Sequence, residues 1–505
     1  MNPASSLEAH FAPFRSQIIG IDATLDGPCG RVPLVYADWI ASGRLYDPIE
    51  QRLRDLVYPY VANTHSESSA VGAGMTAAYH RAHAIIKERV GASPSDVVIT
   101  TGSGMTGVVN KLQRILGLRI PERAKGLCGK NTCEMPEDER PVVFITHMEH
   151  HSNHTSWLES VADVVVLEPN AELRVDPEEL RRQLRLYARR PLKIGAFSAG
   201  SNVTGVRPPY RELARIMHDA GGLAFADFAA SAPYDPIVMR PEGDPQGSLD
   251  AIYFSPHKFL GGPGSPGVLV FDPRLYSNTI PDDPGGGTVA WTNRWGEHRF
   301  VSDIETREDG GTPAFLGAMR AALALELKEL MNPEKMRARE GQLLDRAFVG
   351  LSTVTGLRIL AQDEKERLGV VSFYIENLHY NLVVSLLSDR YGIQVRGGCS
   401  CAGTYGHYLL HVDRAHSREI TCRIDSGDLT DKPGWVRLSL HPTMTDAELE
   451  YVIKALSEVA KNGEKWAEEY KFDRSAGEFR RLDERSFRPV DPDALFARSG
   501  LAAKA

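Results

Sequence analysis

Short apolar runs alternate with amphipathic segments through the middle of the chain. Apolar runs of this length predict buried strands, and apolar residues recurring every three or four positions predict helices that face a core. We predict strands at Val97–Thr100, Val142–Thr146, Val164–Leu167, Ile194–Phe197, Leu223–Ala226, Ala251–Phe254 and Gly267–Phe271, and intervening helices at Thr106–Leu116, Asp176–Arg189 and Tyr210–Ala220. This alternation indicates an α/β fold with a mostly parallel, seven-stranded sheet between helices.

The pattern changes after this block. Turn-rich stretches at residues 281–287 and 307–313 precede a long predicted helix, which is followed by a mixture of strands and helices. We therefore predict an N-terminal arm (1–30), a large domain (31–313), a smaller α+β domain (314–470, with an insert at about 403–434) and a surface tail (471–505).

Composition and net charge exclude several classes of function. The chain has 505 residues, enough for two lobes, with 42% hydrophobic and 25% charged residues as in soluble globular proteins. A net charge of -8 argues against binding to nucleic acid or to a membrane surface. No apolar run is long enough to span a membrane, and the N-terminus lacks the apolar core of a signal peptide. We expect a cytoplasmic enzyme.

The six cysteines do not predict a disulfide framework. Six in a chain of this length are more typical of free thiols in a reducing compartment. Four of them form two close pairs, Cys128/Cys133 and Cys399/Cys401, and a zinc site built from these four is an alternative interpretation. Neither pair has the spacing of a zinc knuckle, so we predict no metal site.

A lysine follows one of the predicted strands, in the sequence Ser255-Pro-His257-Lys258. The carboxyl end of a strand is where α/β folds bind ligands. Between apolar residues the Lys258 amine would lose its charge more easily and could form a Schiff base. Ser255 and His257 can donate hydrogen bonds to an anion such as a phosphate. The alternative is a strand end with a solvated lysine and a glycine turn.

A second anion-binding feature lies at Thr101–Gly107, between a strand and a helix. Backbone N–H groups at a helix start form an anion cradle, here from Gly104, Met105 and Thr106. The same glycines match the dinucleotide fingerprint, Gly102-x-Gly104-x-x-Gly107, which is typical of nicotinamide oxidoreductases. That fingerprint needs an acid at the end of a second strand, whereas the nearest, Glu122, lies in a different context. We therefore favour a single phosphate.

Polar residues follow three other predicted strands. Asp227 could hold a pyridine ring nitrogen in its protonated form, although aspartate there is also a common helix N-cap. His150 could stack on the ring and move protons. With His147 and His151 it could instead bind a metal, but that loop lacks a matching set of carboxylates. Asn202 brings an amide near the ring hydroxyl, or is an ordinary turn asparagine.

Three motifs resemble those of the class V aminotransferase family, pyridoxal-phosphate fold type I, and most of all its cysteine desulfurases and selenocysteine lyases. They are Glu149-His150-His151-Ser-Asn153, Ser201-Asn202-Val-Thr-Gly205 and Ser255-Pro-His-Lys258, within a match from about residue 36 to 456. The resemblance implies pyridoxal 5′-phosphate as cofactor, with Lys258 as the Schiff-base lysine, Asp227 as the pyridinium partner and His150 as the stacking residue. It also implies a phosphate site made of Thr106, Ser255 and His257.

Three further motifs concern the second subunit and the reaction. Gly311-Thr312-Pro313 resembles a loop whose threonine reaches the phosphate of the neighbouring subunit, which implies a homodimer. Val395–Ala402 resembles the desulfurase loop, so that Cys401 becomes the candidate nucleophile. Trp435–Leu440 resembles the strand whose arginine, here Arg437, holds the substrate carboxylate, a task that suits a bidentate guanidinium. His65, in the polar loop 63–69, is a second candidate substrate-binding residue.

The predicted function is conversion of L-cysteine to L-alanine with a persulfide on Cys401, and with a sulfur-acceptor protein as a candidate partner. The sequence departs from desulfurases at Ala230, where they usually have a glutamine, and in the long stretch between Cys401 and Arg437. Alternatives therefore stay open: another class V reaction (amino-acid lyase, epimerase or aminotransferase) on a different amino acid, a nicotinamide oxidoreductase, or a non-catalytic sulfur carrier or scaffold.

Overall fold

The computed structural model describes residues 6–127, 135–483 and 489–497. Its strands are β1 Thr24–Gly27, β2 Gly30–Pro33, β3 Val35–Tyr36, β4 Val97–Thr101, β5 Val142–Thr146, β6 Asp163–Leu167, β7 Lys193–Ser198, β8 Leu223–Asp227, β9 Ala251–Phe254, β10 Gly267–Phe271, β11 Val289–Thr292, β12 His298–Phe300, β13 Leu357–Ile359, β14 Val370–Ile375, β15 Ile393–Gln394, β16 Arg396–Gly398, β17 Trp435–Ser439, β18 Tyr470–Asp473 and β19 Glu478–Arg481.

Its α-helices are α1 Leu7–Arg15, α2 Asp47–Arg52, α3 Ala70–Arg89, α4 Gly104–Ile115, α5 Glu122–Leu127, α6 Thr155–Leu158, α7 Pro177–Leu186, α8 Tyr210–Asp219, α9 Ile304–Glu308, α10 Phe315–Met331, α11 Pro333–Ser352, α12 Tyr380–Tyr391, α13 Gly403–Leu409, α14 Arg414–Asp425, α15 Asp446–Ala467 and α16 Pro492–Leu495. Among the described residues, no helix combines the length and apolarity that crossing a bilayer requires.

The central sheet has seven strands in the order β4-β10-β9-β8-β7-β5-β6. Strand β10 runs antiparallel to both of its neighbours, and the other pairs are parallel. The predicted α/β fold with a mostly parallel seven-stranded sheet is therefore confirmed. Strands β4, β5, β7, β8 and β9 all end at the same edge of the sheet, which brings the loops that follow them together.

Both faces of this sheet are buried, which explains why its strands are continuously apolar rather than alternating. Along β5, Val142 and Phe144 belong to one hydrophobic cluster, while Val143 and Ile145 belong to another on the opposite face. Helix α4 packs on the second face through an apolar stripe, and α8 packs on the first. The sheet is thus held rigidly between helices.

A second sheet of four strands lies in the C-terminal half, in the order β13-β14-β17-β16, with all of its pairs antiparallel. Helices α12 and α15 pack together, and α12 also packs against β16 and β17. The N-terminal segment reaches this half of the chain in a separate two-stranded sheet, in which β3 pairs in parallel with β15. That pairing determines the geometry of one part of the candidate site.

Three segments have more structure than their sequence patterns predict. Helix α1 lies inside the predicted N-terminal arm, and α13 and α14 lie inside the predicted insert. The predicted tail begins with the hairpin β18–β19, whose Phe472 and Phe479 rings pack against His379. These short elements gain stability from tertiary contacts that local periodicity does not reveal. The domain boundaries themselves stay a prediction.

Candidate active site

A cavity of about 180 Å³ lies at the shared edge of the central sheet. The loops after β4, β5, β7, β8 and β9 all contribute to its wall. They bring together eight of the residues predicted from the sequence: Met105, Thr106, His150, Asn202, Asp227, Ser255, His257 and Lys258. Side chains that are up to 153 positions apart in the chain, from Met105 to Lys258, thus share one small space.

Lys258 and Asp227 are each shifted toward their neutral form in this cavity. Burial lowers the pKa of the Lys258 amine, and Arg437 and Arg396 lower it further, against the opposing effect of Asp227. Burial raises the pKa of the Asp227 carboxyl, and the nearby Glu149 carboxylate adds to the shift. An amine with a lowered pKa loses its proton more readily, and the uncharged form can attack an aldehyde. A positively charged ring N–H placed opposite Asp227 would stabilise the ionised form of this buried carboxyl group.

Asp227 is fixed by its own backbone. It is the last residue of β8, and its Oδ1 accepts a hydrogen bond from the Ala229 N–H at 2.8 Å. The neighbouring Glu149 is buried and accepts hydrogen bonds on both oxygens, from Thr146 and from Ser198 at 2.6 Å each and from the Asn153 amide at 2.7 Å. Glu149 therefore joins the ends of β5 and β7 and keeps the cavity wall in place.

His150 faces the cavity as a neutral ring. Its Nδ1 accepts a hydrogen bond from the Ser152 N–H at 3.1 Å, so the ring proton of the neutral form is on Nε2. Burial lowers the pKa of His150 to about 3, and the positive charge of Lys258 contributes. A neutral imidazole can lie flat against a ring and accept a proton, but it has no cationic proton to donate.

One end of the cavity is built as an anion cradle. Gly104 begins α4 with a positive φ of 62°, and a Cβ added there would lie 2.8 Å from both Ser255 Oγ and His257 Cε1. The Met105 N–H donates to Ser255 Oγ at 2.8 Å, and Thr106 Oγ1 lies 2.6 Å from Ser152 Oγ. Backbone N–H groups and hydroxyls at a helix start suit a phosphate. The residues present therefore fit pyridoxal 5′-phosphate, with the phosphate here and the ring near Asp227.

The glycine motif does not belong to a dinucleotide-binding unit. Such a unit needs two neighbouring parallel strands joined by the helix that follows the glycines. Among the described residues, β4 is an edge strand of the sheet and pairs there with β10, which is antiparallel to it. The positive φ values of Gly102 and Gly104 serve the tight entry into α4 instead.

Arg437 lies beside the cavity rather than in its wall. It is 3% exposed, and its Nη1 donates to the Asn202 carbonyl at 3.3 Å. Its Nη2 donates to Asp38 Oδ1 at 2.7 Å, and Arg396 Nε donates to Asp38 Oδ2 at 3.1 Å. We call these three residues, Asp38, Arg396 and Arg437, the carboxylate grip.

Cys401 lies on a loop that is tied to the cavity wall. Ser400 and Cys401 both have positive φ (52° and 56°), a backbone strain of about 1 kcal/mol or more for each residue. Three hydrogen bonds hold the loop: Asn202 Nδ2 to the Ser400 carbonyl (2.7 Å), His151 N–H to the Cys401 carbonyl (2.7 Å) and Gly403 N–H to His151 Nε2 (3.0 Å). The Cys401 side chain is exposed and does not line the cavity.

The two cysteines of this loop have different electrostatic neighbours. Cys401 acts on Arg437, whose pKa is lowered by burial and raised by Asp38 and by the charge of Cys401. Cys399 acts on Tyr380 instead. Of the two thiols, Cys401 is therefore the one beside the guanidinium.

Two further predicted residues, His65 and Thr312, also lie outside the lining of the cavity. His65, with a positive φ of 65°, lines a separate cavity of about 570 Å³ together with Tyr79, His80 and Asp309. Thr312 is exposed in the loop after α9. Their roles toward substrate and phosphate stay predictions.

The metal alternatives find little support among the described residues. No group of three or more His, Cys, Asp or Glu side chains there could hold a metal ion. His147 is turned away from His150, since its Nε2 hydrogen-bonds to the Leu173 carbonyl and its ring packs against Tyr405. Cys128 and Cys133 lie outside the described residues.

Sequence reasoning missed Asp38, Arg396 and Glu149 as site residues. Glu149 and Arg396 stand inside motifs that carried the resemblance, but no role was predicted for them. Asp38 had a weak signal, as a lone acid between the apolar residues Ala37 and Trp39 in a segment where no acid is needed for solubility. Its partners are about 360 and 400 positions away, so only the structure identifies them.

Comparisons with known proteins agree with this geometry. The family model of class-V aminotransferases matches residues 131–452. A probable cysteine desulfurase of Halalkalibacterium halodurans is 28% identical over 382 residues, covering 75% of this chain and 86% of that protein. Probable cysteine desulfurase 2 of Mycobacterium leprae is 29% identical over 337 residues, covering 65% and 73%.

Solved structures share the fold. The apo cysteine desulfurase of Thermococcus onnurineus superposes with a TM-score of 0.69 at 21% identity, covering 89% of this chain and 98% of that one. The cysteine desulfurase CsdA of Escherichia coli superposes with a TM-score of 0.68 at 22% identity, with the same coverage. The predicted pyridoxal-phosphate fold type I is thereby confirmed.

Proposed function

The chain belongs to the class-V aminotransferase family, and on that premise we propose that it is a cysteine desulfurase. It converts L-cysteine to L-alanine and retains the sulfur as a persulfide on Cys401. The family uses pyridoxal 5′-phosphate as its cofactor. One observation carries the proposal: Lys258 and Asp227, from two different strand ends, share a buried cavity whose far end is a phosphate cradle. Relatives described as probable cysteine desulfurases support the choice of reaction.

When bound, pyridoxal 5′-phosphate supplies an aldehyde for the substrate amine and a ring that accepts electrons. Ser255, Thr106 and the N–H groups at the start of α4 would hold its phosphate. Asp227 would keep the ring nitrogen protonated through its carboxylate, and His150 would stack on the ring as a neutral imidazole. Together these residues would orient the substrate so that Lys258 can reach its Cα–H bond.

Two side chains then act on the substrate: Lys258 transfers the proton and Cys401 accepts the sulfur. Lys258 Nζ, uncharged once it is free, takes the Cα proton. The Cys401 thiolate attacks the substrate sulfur, so that an S–S bond forms while the Cβ–S bond breaks. The electron pair of the broken bond passes to Cβ, which takes up a proton. The proton held on Lys258 Nζ returns to Cα, and this gives alanine. Arg437 holds the substrate carboxylate through its guanidinium group.

The assembly and location are part of the same proposal. We propose a cytoplasmic homodimer in which Thr312 reaches the phosphate of the neighbouring subunit and His65 contacts substrate. An exposed group of apolar side chains supports pairing with a second copy: Leu56, Tyr58, Tyr60, Val61 and Val71. A sulfur-acceptor protein then collects the persulfide. The division into a large domain (31–313) and a small domain (314–470) assigns Lys258 and Cys401 to different lobes.

Incubation of the cofactor-loaded protein with L-cysteine tests the function. We expect L-alanine in the solution and a mass gain of one sulfur atom on the peptide containing Cys401. Cys401→Ser should abolish both, whereas Cys399→Ser, the matched change two positions away, should retain both. Absence of alanine together with an unmodified Cys401 would contradict the proposal.

One observation favours a second candidate, another class V reaction on a different amino acid. Ala230 lines the cavity and is 5% exposed, so a methyl group stands where desulfurases usually have a glutamine. Loss of that amide changes the electronics of the ring and can favour other outcomes. Full activity of Cys401→Ser on an alternative amino acid would support this candidate, because a persulfide would then have no role.

A further inference from the structure

The two arginines of the carboxylate grip face each other across neighbouring strands. Arg396 on β16 and Arg437 on β17 are direct partners in the antiparallel register. Directly opposed side chains project on the same face with Cβ atoms about 5 Å apart, and like charges in such a pair repel. The sequence of this sheet therefore places two positive charges together at the edge of the active site.

Asp38 is held between these arginines by strand pairing. Strand β3 pairs in parallel with β15, with Tyr36 opposite Gln394, and both chains continue two residues further to Asp38 and Arg396. A backbone bridge also joins Asp38 to Ser439, two residues after Arg437. One carboxylate oxygen then accepts from each arginine, at 2.7 Å from Arg437 and 3.1 Å from Arg396. The cluster of three residues carries a single net positive charge.

The grip still has a free donor. Arg437 is 3% exposed, and within the described part of the chain its buried Nε has no hydrogen-bond partner. A buried N–H group without a partner costs about 1–3 kcal/mol, which a ligand oxygen would recover. Asp38 therefore orients and partly neutralises Arg437 without filling it.

This cluster adjoins the Lys258 cavity on one side and interacts electrostatically with Cys401. Arg437 touches the Asn202 carbonyl, and Asn202 lines the Lys258 cavity. Arg437 also responds to the charge of Cys401, the thiol that must meet the substrate side chain. The net charge of the grip would thus interact electrostatically with both the α-carboxylate and the side chain of the same substrate.

We propose that Asp38 is a specificity-determining residue, which limits the grip to one net positive charge and so selects amino acids with uncharged side chains over those with a second acidic group. The inference rests on the proposed function and narrows its substrate class: cysteine and other amino acids with neutral side chains are accepted, and those with a side-chain carboxylate or sulfinate are disfavoured. Asp38 acts through Arg437 and Arg396, and it touches no reacting atom.

Binding of two sulfur-free amino acids to the cofactor-loaded protein tests this. L-alanine carries only the α-carboxylate, whereas L-aspartate adds a second acid. Their dissociation constants are measured by equilibrium dialysis for the unmodified protein, Asp38→Asn, Asp38→Glu and Asp163→Asn. Asp163 is the matched control, since it also bridges two arginines (Arg140 and Arg190), but at the start of β6, on the opposite edge of the sheet.

We expect the unmodified protein to bind L-alanine more tightly than L-aspartate. In Asp38→Asn the preference should shift toward L-aspartate by about tenfold, the effect of about 1.4 kcal/mol of Coulomb energy. Asp38→Glu should retain the original preference because it retains the charge, and Asp163→Asn should retain it because its charge is distant.

Three results would overturn the inference. They are an unchanged preference in Asp38→Asn, an equal shift in Asp38→Asn and Asp38→Glu (which would show packing rather than charge), and tighter binding of L-aspartate by the unmodified protein. The last needs no variant, so a failure of Asp38→Asn to fold leaves the inference testable. Neither ligand contains sulfur, so failure of the proposed desulfuration would be seen separately, as L-cysteine that binds but yields no alanine.

Discussion

The Lys258 cavity and the carboxylate grip are neighbours built in opposite ways. The cavity is lined by the ends of strands of one sheet and by the residues that closely follow them, so a few residues of local sequence determine each functional group. The grip joins three segments, and its contacts connect residues 399 and 358 positions apart. Chemistry that depends on strand ends is therefore locally encoded, while recognition of the substrate depends on how distant segments pair.

The two regions also differ in electrostatics. In the cavity, burial shifts Lys258 and Asp227 toward neutrality, which suits groups that must exchange protons. In the grip, the Asp38 carboxylate forms ion pairs with two guanidinium groups. This difference fits the roles proposed for the two regions, reaction in the cavity and substrate selection in the grip.

The strongest test of this contrast is Lys258→Ala. The cavity would lose the amine that carries the cofactor and moves the Cα proton, so we expect alanine formation to fall by at least about a thousandfold. Lys335→Ala, an exposed lysine on α11, is the control and should change nothing. The grip remains intact in Lys258→Ala, so alanine and aspartate should still be discriminated. Residual activity within tenfold of the unmodified protein would contradict the assignment of Lys258.

The sequence predicted the cavity well for a physical reason. Buried strands of a two-sided sheet are apolar throughout, so their ends are visible where polar residues resume. The strands at Val142–Thr146, Ala251–Phe254 and Gly267–Phe271 have the predicted bounds. Once the strands were assigned, Asp227, Asn202 and the other residues at their carboxyl ends had to converge at one edge.

The grip could not be predicted in the same way. Nothing local to Asp38 indicates that β3 pairs with β15, since two-residue strands carry no periodicity. Helices α13 and α14 were missed for a related reason, as they lie in a segment that was assigned only as an insert. The roles proposed for Thr312 and His65 require a second subunit, which a single sequence indicates only by resemblance.

Two substitutions compare how much Arg437, the buried arginine of the grip, and Arg396, its exposed arginine, contribute to stability. Arg437→Gln leaves the buried Asp38 carboxylate with one half-exposed partner, so we expect a loss of about 3 kcal/mol in the free energy of unfolding. The Arg396 side chain is 52% exposed, and Arg396→Gln should cost less than about 1 kcal/mol. Urea titration of the cofactor-loaded protein, followed by circular dichroism, measures both. Equal losses in the free energy of unfolding would show that Arg437 does not stabilise the grip more than Arg396 does.

The finest test compares two glycines at the ends of α4. Gly104 and Gly117 both have positive φ, 62° and 70°, so alanine at either should cost about 1–2 kcal/mol of stability. They differ in surroundings: a Cβ at Gly104 meets Ser255 and His257 at 2.8 Å, whereas a Cβ at Gly117 has no atom within 4 Å.

Gly104→Ala should therefore weaken binding of pyridoxal 5′-phosphate by about tenfold as well, because it displaces the hydroxyl and ring that line the cradle. Gly117→Ala should leave that affinity unchanged. Fluorescence titration of the apo-protein with the cofactor measures the difference, and equal affinities in the two variants would show that backbone strain alone, and not the cradle, responds at Gly104.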